Sequence, residues 1–295
     1  MSAWLQELVT ILVTGANGLL GSSLCPYLQR NGYDVTRQGR TIDCGLRAEL
    51  TDFDEVKLTL DQLQPDLIIN LAAYTNVDEC ECYPSKAYLA NTHIVENLSR
   101  WIKETGGVCH LLQLSTDQVY DGIGPHREDT VCLTNYYSFS KYAGELAATA
   151  VGATVLRTNF VGRSKCNRRQ TLSDVFVEAF RRGTAIALVK NVLFSPLDIA
   201  HLCPMIERVI QRRQPGVYNL GCRNGLSKAD FGACLAEELG LSIRNASRER
   251  IAELHLRAYR PRDMRMDSSL FERVFQTELP TVEQTIASVA NSYRN

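Results

Sequence analysis

In the stretch "NYYSFSKYAGE", Tyr137 and Lys141 stand four residues apart, and a helix through it puts both side chains on one face. About twenty residues earlier the apolar run "GVCHLLQLS" ends in Ser115 and Thr116, followed by Asp117 and Gln118. A hydroxyl, a phenol and an ammonium gathered at the end of a strand can hold a carbonyl oxygen and protonate it. Reduction of a ketone leaves an alkoxide that must take up a proton as it forms. A tyrosine with its ordinary pKa near 10 is a poor acid or base at neutral pH. A neighbouring ammonium favours the phenolate and brings that value toward the working range. Thr116 is placed to hydrogen-bond the carbonyl oxygen and hold it against Tyr137.

The elements that must position these groups follow an α/β rhythm. "LVTILVTG" reads as a buried strand, and residues 18–31 as a helix with Leu19, Leu20, Leu24 and Leu28 on one side. "YDVT" is a short strand, "DEVKLTLDQL" a helix stopped before Pro65, and "DLIINLAA" a strand. A helix over 84–103, the strand "GVCHLLQLS", a helix over 136–150 and the strand "ATVLRT" complete the pattern. Such an order predicts a Rossmann-type, doubly wound parallel sheet with helices on both faces. The expected division is a dinucleotide-binding domain over 1–162 and a smaller, mainly substrate-binding C-terminal lobe over 163–295. About 191–222, with a helix around 197–212 and the strand "GVYNLG", is expected to return to the core. Within the lobe "NRRQTLSDVFVEAFRRG" reads as a helix ended by Gly183, "AIALVK" as a strand, and "SKADFGACLAEELG" as a helix capped by Ser227 and ended by Gly240. The last stretch is Arg-rich and broken by Pro261 and Pro280.

"VTGANGLLG" places Gly15, Gly18 and Gly21 between the first strand and the first helix. Gly15 permits a sharp turn, Gly18 lets the backbone approach a diphosphate, and Gly21 lets the helix pack closely. The helix N-terminus then adds N–H donors and partial positive charge. No Gly-Lys-Ser/Thr follows, so the loop is not of the P-loop kind. At the end of the second strand stand Arg37 and Arg40, with Asp34 too early to reach a ribose hydroxyl. Positive charge there suits a 2′-phosphate, so NADPH is the expected cofactor, with NADH left open.

Composition narrows the remaining classes. With 295 residues, 45% hydrophobic and 22% charged, and a net charge of -1, the chain offers no electrostatic case for nucleic acid or an anionic membrane. No apolar run approaches a membrane span, and "MSAWLQELVT" lacks the basic start of a secretory signal, so a cytoplasmic location is expected. The ten cysteines read as reduced thiols; Cys80 and Cys82 are too close for a zinc knuckle, and the five histidines are scattered, so no metal site is expected.

Seven motifs in order resemble the dTDP-4-dehydrorhamnose reductase family of extended short-chain dehydrogenases, over nearly the whole chain. They are "TGANGLLG", "PDLIINLAAYTNVDECE", "STDQVYDG", "YYSFSKYAGE", "LRTNFVG", "FSPLDIAHL" and "RPRDMRMD". The resemblance implies an NAD(P)H-dependent oxidoreductase of deoxysugar biosynthesis. Its reaction would be reduction of a nucleotide-linked 4-keto-6-deoxy sugar, with hydride to C4 and a proton from Tyr137. Thr116, Tyr137 and Lys141 would be catalytic, and Tyr137 and Lys141 would also touch the cofactor. Gly15, Asn17, Gly18, Leu19, Leu20, Gly21, Arg37, Arg40 and Leu50 would hold the cofactor, with Leu71, Ala72, Ala73 and Tyr74 toward its nicotinamide side. Val77, Asp78, Thr116, Asp117 and Phe160 would meet the sugar, and Arg260 the diphosphate. The partner would be a nucleotide sugar, and a homodimer is left open.

Gln118 separates this reading from its neighbours. Related 4,6-dehydratases read Thr-Asp-Glu there, and an amide can neither act as general base nor carry charge. Epimerases share the triad but usually carry a longer C-terminal lobe. The regulatory subunit of methionine adenosyltransferase shares fold and motifs while serving a partner enzyme, so intact motifs leave that role open. The sequence also departs from the family pattern: Phe160 stands for the usual Trp, "KNVLFSPL" lacks an Asp-Gln and a Thr after Pro, and Arg262 and Asp263 replace small or amide residues. These positions are expected to face sugar and diphosphate, which leaves the substrate's identity open.

Overall fold

Residues 9–40, 45–166 and 169–294 are described by the computed structural model. The chain starts with β1 (Thr10–Thr14), α1 (Gly21–Arg30), β2 (Asp34–Gly39), β3 (Leu46–Arg47), α2 (Phe53–Leu63) and β4 (Leu67–Asn70). Then come α3 (Val77–Cys82), α4 (Pro84–Tyr88), α5 (Ile94–Glu104), β5 (His110–Thr116), α6 (Tyr136–Thr149) and β6 (Thr154–Thr158). Helix α1 starts three residues later than its leucines imply, because Gly18 N–H turns back onto the Gly15 carbonyl at 2.9 Å. The long helix expected over 84–103 carries a π turn at Leu89–His93 between α4 and α5. Local chemistry sets the other ends. Asp52 caps α2 by accepting from Asp54 and Glu55 N–H, and Asn135 and Ser138 form a capping box on α6.

The second half contributes β7 (Phe160–Val161), α7 (Leu172–Arg182), β8 (Ile186–Val189), β9 (Leu193–Phe194), β10 (Leu197–Asp198), α8 (Ile199–Arg212) and β11 (Gly216–Leu220). It ends with β12 (Leu226–Ser227), α9 (Lys228–Leu239), β13 (Ala246–Glu249), β14 (Asp263–Met264), α10 (Ser269–Phe275) and α11 (Val282–Arg294). Helix α7 starts at its Thr171 capping box and stops at Gly183, φ +64°; Asn167 and Arg168, in the helix expected from the sequence, lie outside the described residues.

A seven-stranded, all-parallel sheet runs β11-β6-β5-β4-β1-β2-β3. Side chains alternate between its faces. Ile11, Val13, Leu67 and Ile69 pack under α1, α8 and α10, while Leu12, Ile68, Leu111 and Val155 pack under α2, α5 and α6. The strand order reverses between β1 and β4, which opens a crevice at their carboxyl ends. A second core unites α7, α9 and α11 through Phe176, Phe231 and Val289. The sequence reading missed α10, α11 and the strands β12 to β14. The strands are two to four residues long, too short for alternation to show, and pair only within the lobe.

Helix α6 lies against the sheet through a buried charge network. Arg157 of β6 donates from Nη2 to Glu145 Oε2 at 2.6 Å and from Nε to both carboxylate oxygens at 3.0 Å. Its Nη1 donates to the Tyr120 hydroxyl at 2.7 Å and the Glu128 carbonyl at 2.6 Å, and the Ser115 hydroxyl donates to Glu145. Both side chains are almost wholly buried. Breaking such a pair leaves one charge without compensation, so Arg157→Met is expected to lower stability by about 3–5 kcal/mol. Urea unfolding checks this; Lys57→Ala, which removes the exposed Lys57–Asp61 pair, should barely move the midpoint.

Candidate active site

The crevice holds a cavity of about 890 Å³ that runs from the glycine loop to the carboxyl end of β5 and on to the C-terminal lobe. At one end Gly15 turns at φ +61°, and a Cβ there would lie 2.9 Å from Ala72 N. A Cβ on Gly21 would press on the Ala16 carbonyl at 2.5 Å, and one on Gly18 would meet little except the Gly15 carbonyl at 3.1 Å. The first and third glycines are therefore fixed by close packing, and Gly18 by the open approach it leaves to a ligand. Asn17, Leu19 and Leu20 line the same end. This is a cradle that a dinucleotide diphosphate fits.

Sequence reading missed what stabilises the cradle. Gln38 is buried, lines the cavity, accepts from Gly15 N–H at 3.3 Å and donates to the Ala48 carbonyl at 2.8 Å. Beneath it Thr14 donates to Asn70 at 2.5 Å and Asn70 to Gln113 at 2.7 Å, which ties the ends of β1, β4 and β5 together. Asn91, in the π turn, accepts from Tyr74 N–H at 2.7 Å and donates to the Tyr74 carbonyl and the Ser140 hydroxyl, each at 3.0 Å. Leu71, Ala72, Ala73 and Tyr74 line the cavity along this segment, and Leu50 lines it near Gln38.

The two arginines part company. Arg40 lines the cavity and is exposed, whereas Arg37 lies outside the lining and donates from Nη2 to Asn17 Oδ1 at 2.9 Å. Asp34 is at the far, amino end of β2.

At the carboxyl end of β5, Thr116, Asp117, Gln118, Tyr137 and Lys141 share the cavity wall. Burial pushes the Tyr137 phenol well above its usual range, and the nearby Asp117 carboxylate adds to the rise; a hydrogen bond with Thr116 works against both. Lys141 does not supply the lowering expected of it. Its ammonium donates to the Leu114 carbonyl at 2.6 Å, and burial brings its own pKa down to about 8 against the pull of Glu145. The surroundings of Tyr137 thus favour its neutral phenol form. Asp117, 1% exposed, is pushed up to about 6 by burial despite the Asn159 amide at 2.7 Å. Among the described residues, Gln118 Oε1 and Thr158 Oγ1 are buried cavity-wall groups with no hydrogen-bond partner.

The expected sugar contacts divide. Phe160 lines the cavity. Val77 is packed against Tyr137, and Asp78 accepts from Arg260 Nη2 at 2.8 Å and from Ala258 N–H at 2.9 Å. Val77, Asp78 and Arg260 form a clasp behind the wall and do not line it. Arg262 and Asp263 also fail to face the cavity: Arg262 N–H donates to Asp121 at 2.9 Å, and Asp263 holds Gly124 N–H at 2.9 Å and Arg265 Nη2 at 2.6 Å. The departure at Asp263 from the family pattern is thus answered by partners within the protein, while Arg262 is exposed.

A glycine cradle at the switch point of a parallel sheet, opening onto Thr116, Tyr137 and Lys141, defines a nucleotide-cofactor oxidoreductase of the short-chain dehydrogenase kind. The RmlD substrate binding domain family matches residues 9–295. The chain belongs to this, the dTDP-4-dehydrorhamnose reductase family. It is 35% identical to the dTDP-4-dehydrorhamnose reductase of Aggregatibacter actinomycetemcomitans, across 77% of this chain and 78% of that one. It is also 28% identical to methionine adenosyltransferase 2 subunit beta of Danio rerio, across 78% and 74%. Among solved structures, the dTDP-4-dehydrorhamnose reductase of Bacillus anthracis in complex with NADP superposes with a TM-score of 0.84 at 23% identity, over 96% of this chain and 98% of that one.

Because Gly18 faces open space apart from one carbonyl, Gly18→Val is expected to abolish binding of NADPH and NADH while leaving thermal unfolding close to wild type. Calorimetric titration of both cofactors, with a melting curve on the same sample, checks this.

Proposed function

We propose that the chain reduces a nucleotide-linked 4-keto-6-deoxy sugar to its 4-hydroxyl form, using NADPH, with Tyr137 as proton donor. The observation that carries this reading is the buried Tyr137 phenol sharing the cavity wall with Thr116 and Lys141, where burial favours its neutral form. Bound NADPH would supply the hydride. Gly15, Gly18 and the N-terminus of α1 would hold the diphosphate, and Arg40 the 2′-phosphate. Thr116 would orient the carbonyl oxygen, Tyr137 would deliver its proton to that oxygen, and Lys141 would help hold the cofactor's ribose.

Elimination of water is disfavoured. The amide of Gln118 provides no base, and Asp117 is the only carboxylate among the described residues that line this end of the cavity beside Tyr137. The similarity to a methionine adenosyltransferase subunit keeps a regulatory role as the second reading. Turnover separates the two.

Loss of a positioned general acid typically lowers the rate about a hundredfold to ten-thousandfold. Tyr137→Phe is therefore expected to lose turnover by such a factor while it binds NADPH as wild type does. Oxidation of NADPH with a panel of nucleotide 4-ketosugars is the measurement, and NADH in its place should serve less well. Full activity in Tyr137→Phe would remove the phenol from the mechanism.

A further inference from the structure

Lys228 has no part in the reaction as drawn, yet it lines the same cavity. It opens α9, and its backbone is held firmly. Ser227 caps the helix by accepting from Asp230 N–H at 3.0 Å, Lys228 N–H donates to the Val192 carbonyl at 3.0 Å, and β12 pairs with β9. Burial lowers the pKa of this half-buried lysine, the Asp117 carboxylate works against that, and Arg260 adds to it. Among the described residues Lys228 forms no hydrogen bond or ion pair, Asp117 included.

Asp117 is similarly underused. One carboxylate oxygen accepts from Asn159 at 2.7 Å, and the other has the Thr116 hydroxyl at 3.4 Å, a marginal contact. A charged donor and a charged acceptor thus line one cavity, close enough for each to act on the other's titration but without a direct bond. The group that fits between them accepts from the ammonium and donates to the carboxylate, and a hydroxyl does both. A phosphate oxygen only accepts, and its charge would stand against the buried carboxylate. On the reductase reading Thr116 would hold the carbonyl, and its hydroxyl lies 3.4 Å from Asp117, which points to the hydroxyl on the carbon next to that carbonyl. The unpartnered Thr158 hydroxyl and Gln118 amide oxygen in the same wall suit a ligand with several hydroxyls.

We propose that Lys228 and Asp117 together bind the hydroxyl adjacent to the reacting carbonyl, which makes Lys228 a specificity-determining residue for α-hydroxy ketosugars. This rests on the reductase reading above.

The test compares a dTDP-4-keto-6-deoxy sugar with its analogue lacking the adjacent hydroxyl, in wild type and in Lys228→Met. Hydrogen bonds to charged groups set the scale: wild type should prefer the hydroxylated sugar by about tenfold to a hundredfold in kcat/KM. In Lys228→Met that preference should shrink toward unity, through a loss on the hydroxylated sugar alone. Equal use of both sugars by wild type overturns the proposal without any variant, and so does a preference unchanged in Lys228→Met. Titration with dTDP alone is the third arm: if Lys228→Met weakens dTDP as much as the nucleotide sugar, the lysine serves the diphosphate and the proposal falls. If wild type oxidises no NADPH with either sugar, the reductase reading is what fails. The Lys228 assignment is then decided by calorimetric binding of the same two sugars to wild type and Lys228→Met, where the same preference and its loss are expected.

Discussion

The buried pair of Arg157 and Glu145 is the contact on which the geometry of the site depends. Tyr137, Lys141 and Glu145 follow one another at four-residue spacing, so they share one face of α6. Fixing Glu145 to β6 and to the Ser115 hydroxyl of β5 sets how far the helix is turned and how deep it sits. Tyr137 and Lys141 then have no freedom to leave the carboxyl end of the sheet. Taking two charges out of water is expensive, and the cost is offset here because almost every polar atom of both groups is hydrogen-bonded. Gly144, the neighbouring residue, lets the helix pass directly over the Asn91 carbonyl, where a Cβ would collide. Asn91 in turn grips the Tyr74 backbone, so the same helix fixes the loop after β4.

Burial is also what gives the site its chemical bias. It raises Tyr137 and Asp117 and lowers Lys141 and Lys228, each toward its neutral form. On the proposed reading, a phenol so placed holds its proton until an alkoxide forms beside it. The Thr116 hydroxyl lies 3.4 Å from an Asp117 carboxylate oxygen and acts on Tyr137, so phenol, hydroxyl and carboxylate share one part of the cavity wall.

Much of this was legible in the sequence, for reasons that can be stated. The glycine loop reads plainly because each glycine meets a separate steric demand, and the Tyr137–Lys141 face reads from helical spacing. Ser227, Gly183 and Gly240 announced their helix ends by capping chemistry. Other charges acquire partners that the sequence does not show. Arg37, Asp78, Arg260 and Asp263 looked free for a ligand, and each is taken by a side chain or backbone group distant in sequence. Asn91, Gln38 and Glu145 were invisible for the opposite reason. A polar residue inside a helix or strand shows its value only when the fold brings a backbone group to it. Lys228 belongs with them, since only the return of β9 beside β12 places it in the cavity.

On the proposed reading, hydride goes to a sugar ketone and Tyr137 protonates the resulting oxygen. Incubation of a nucleotide 4-keto-6-deoxy sugar with NADPH deuterated at the transferred position tests it most directly. The account predicts deuterium on C4 of a 4-hydroxy product, formed by wild type and almost absent from Tyr137→Phe. Deuterium left on the cofactor, or a product that has lost water, would contradict it.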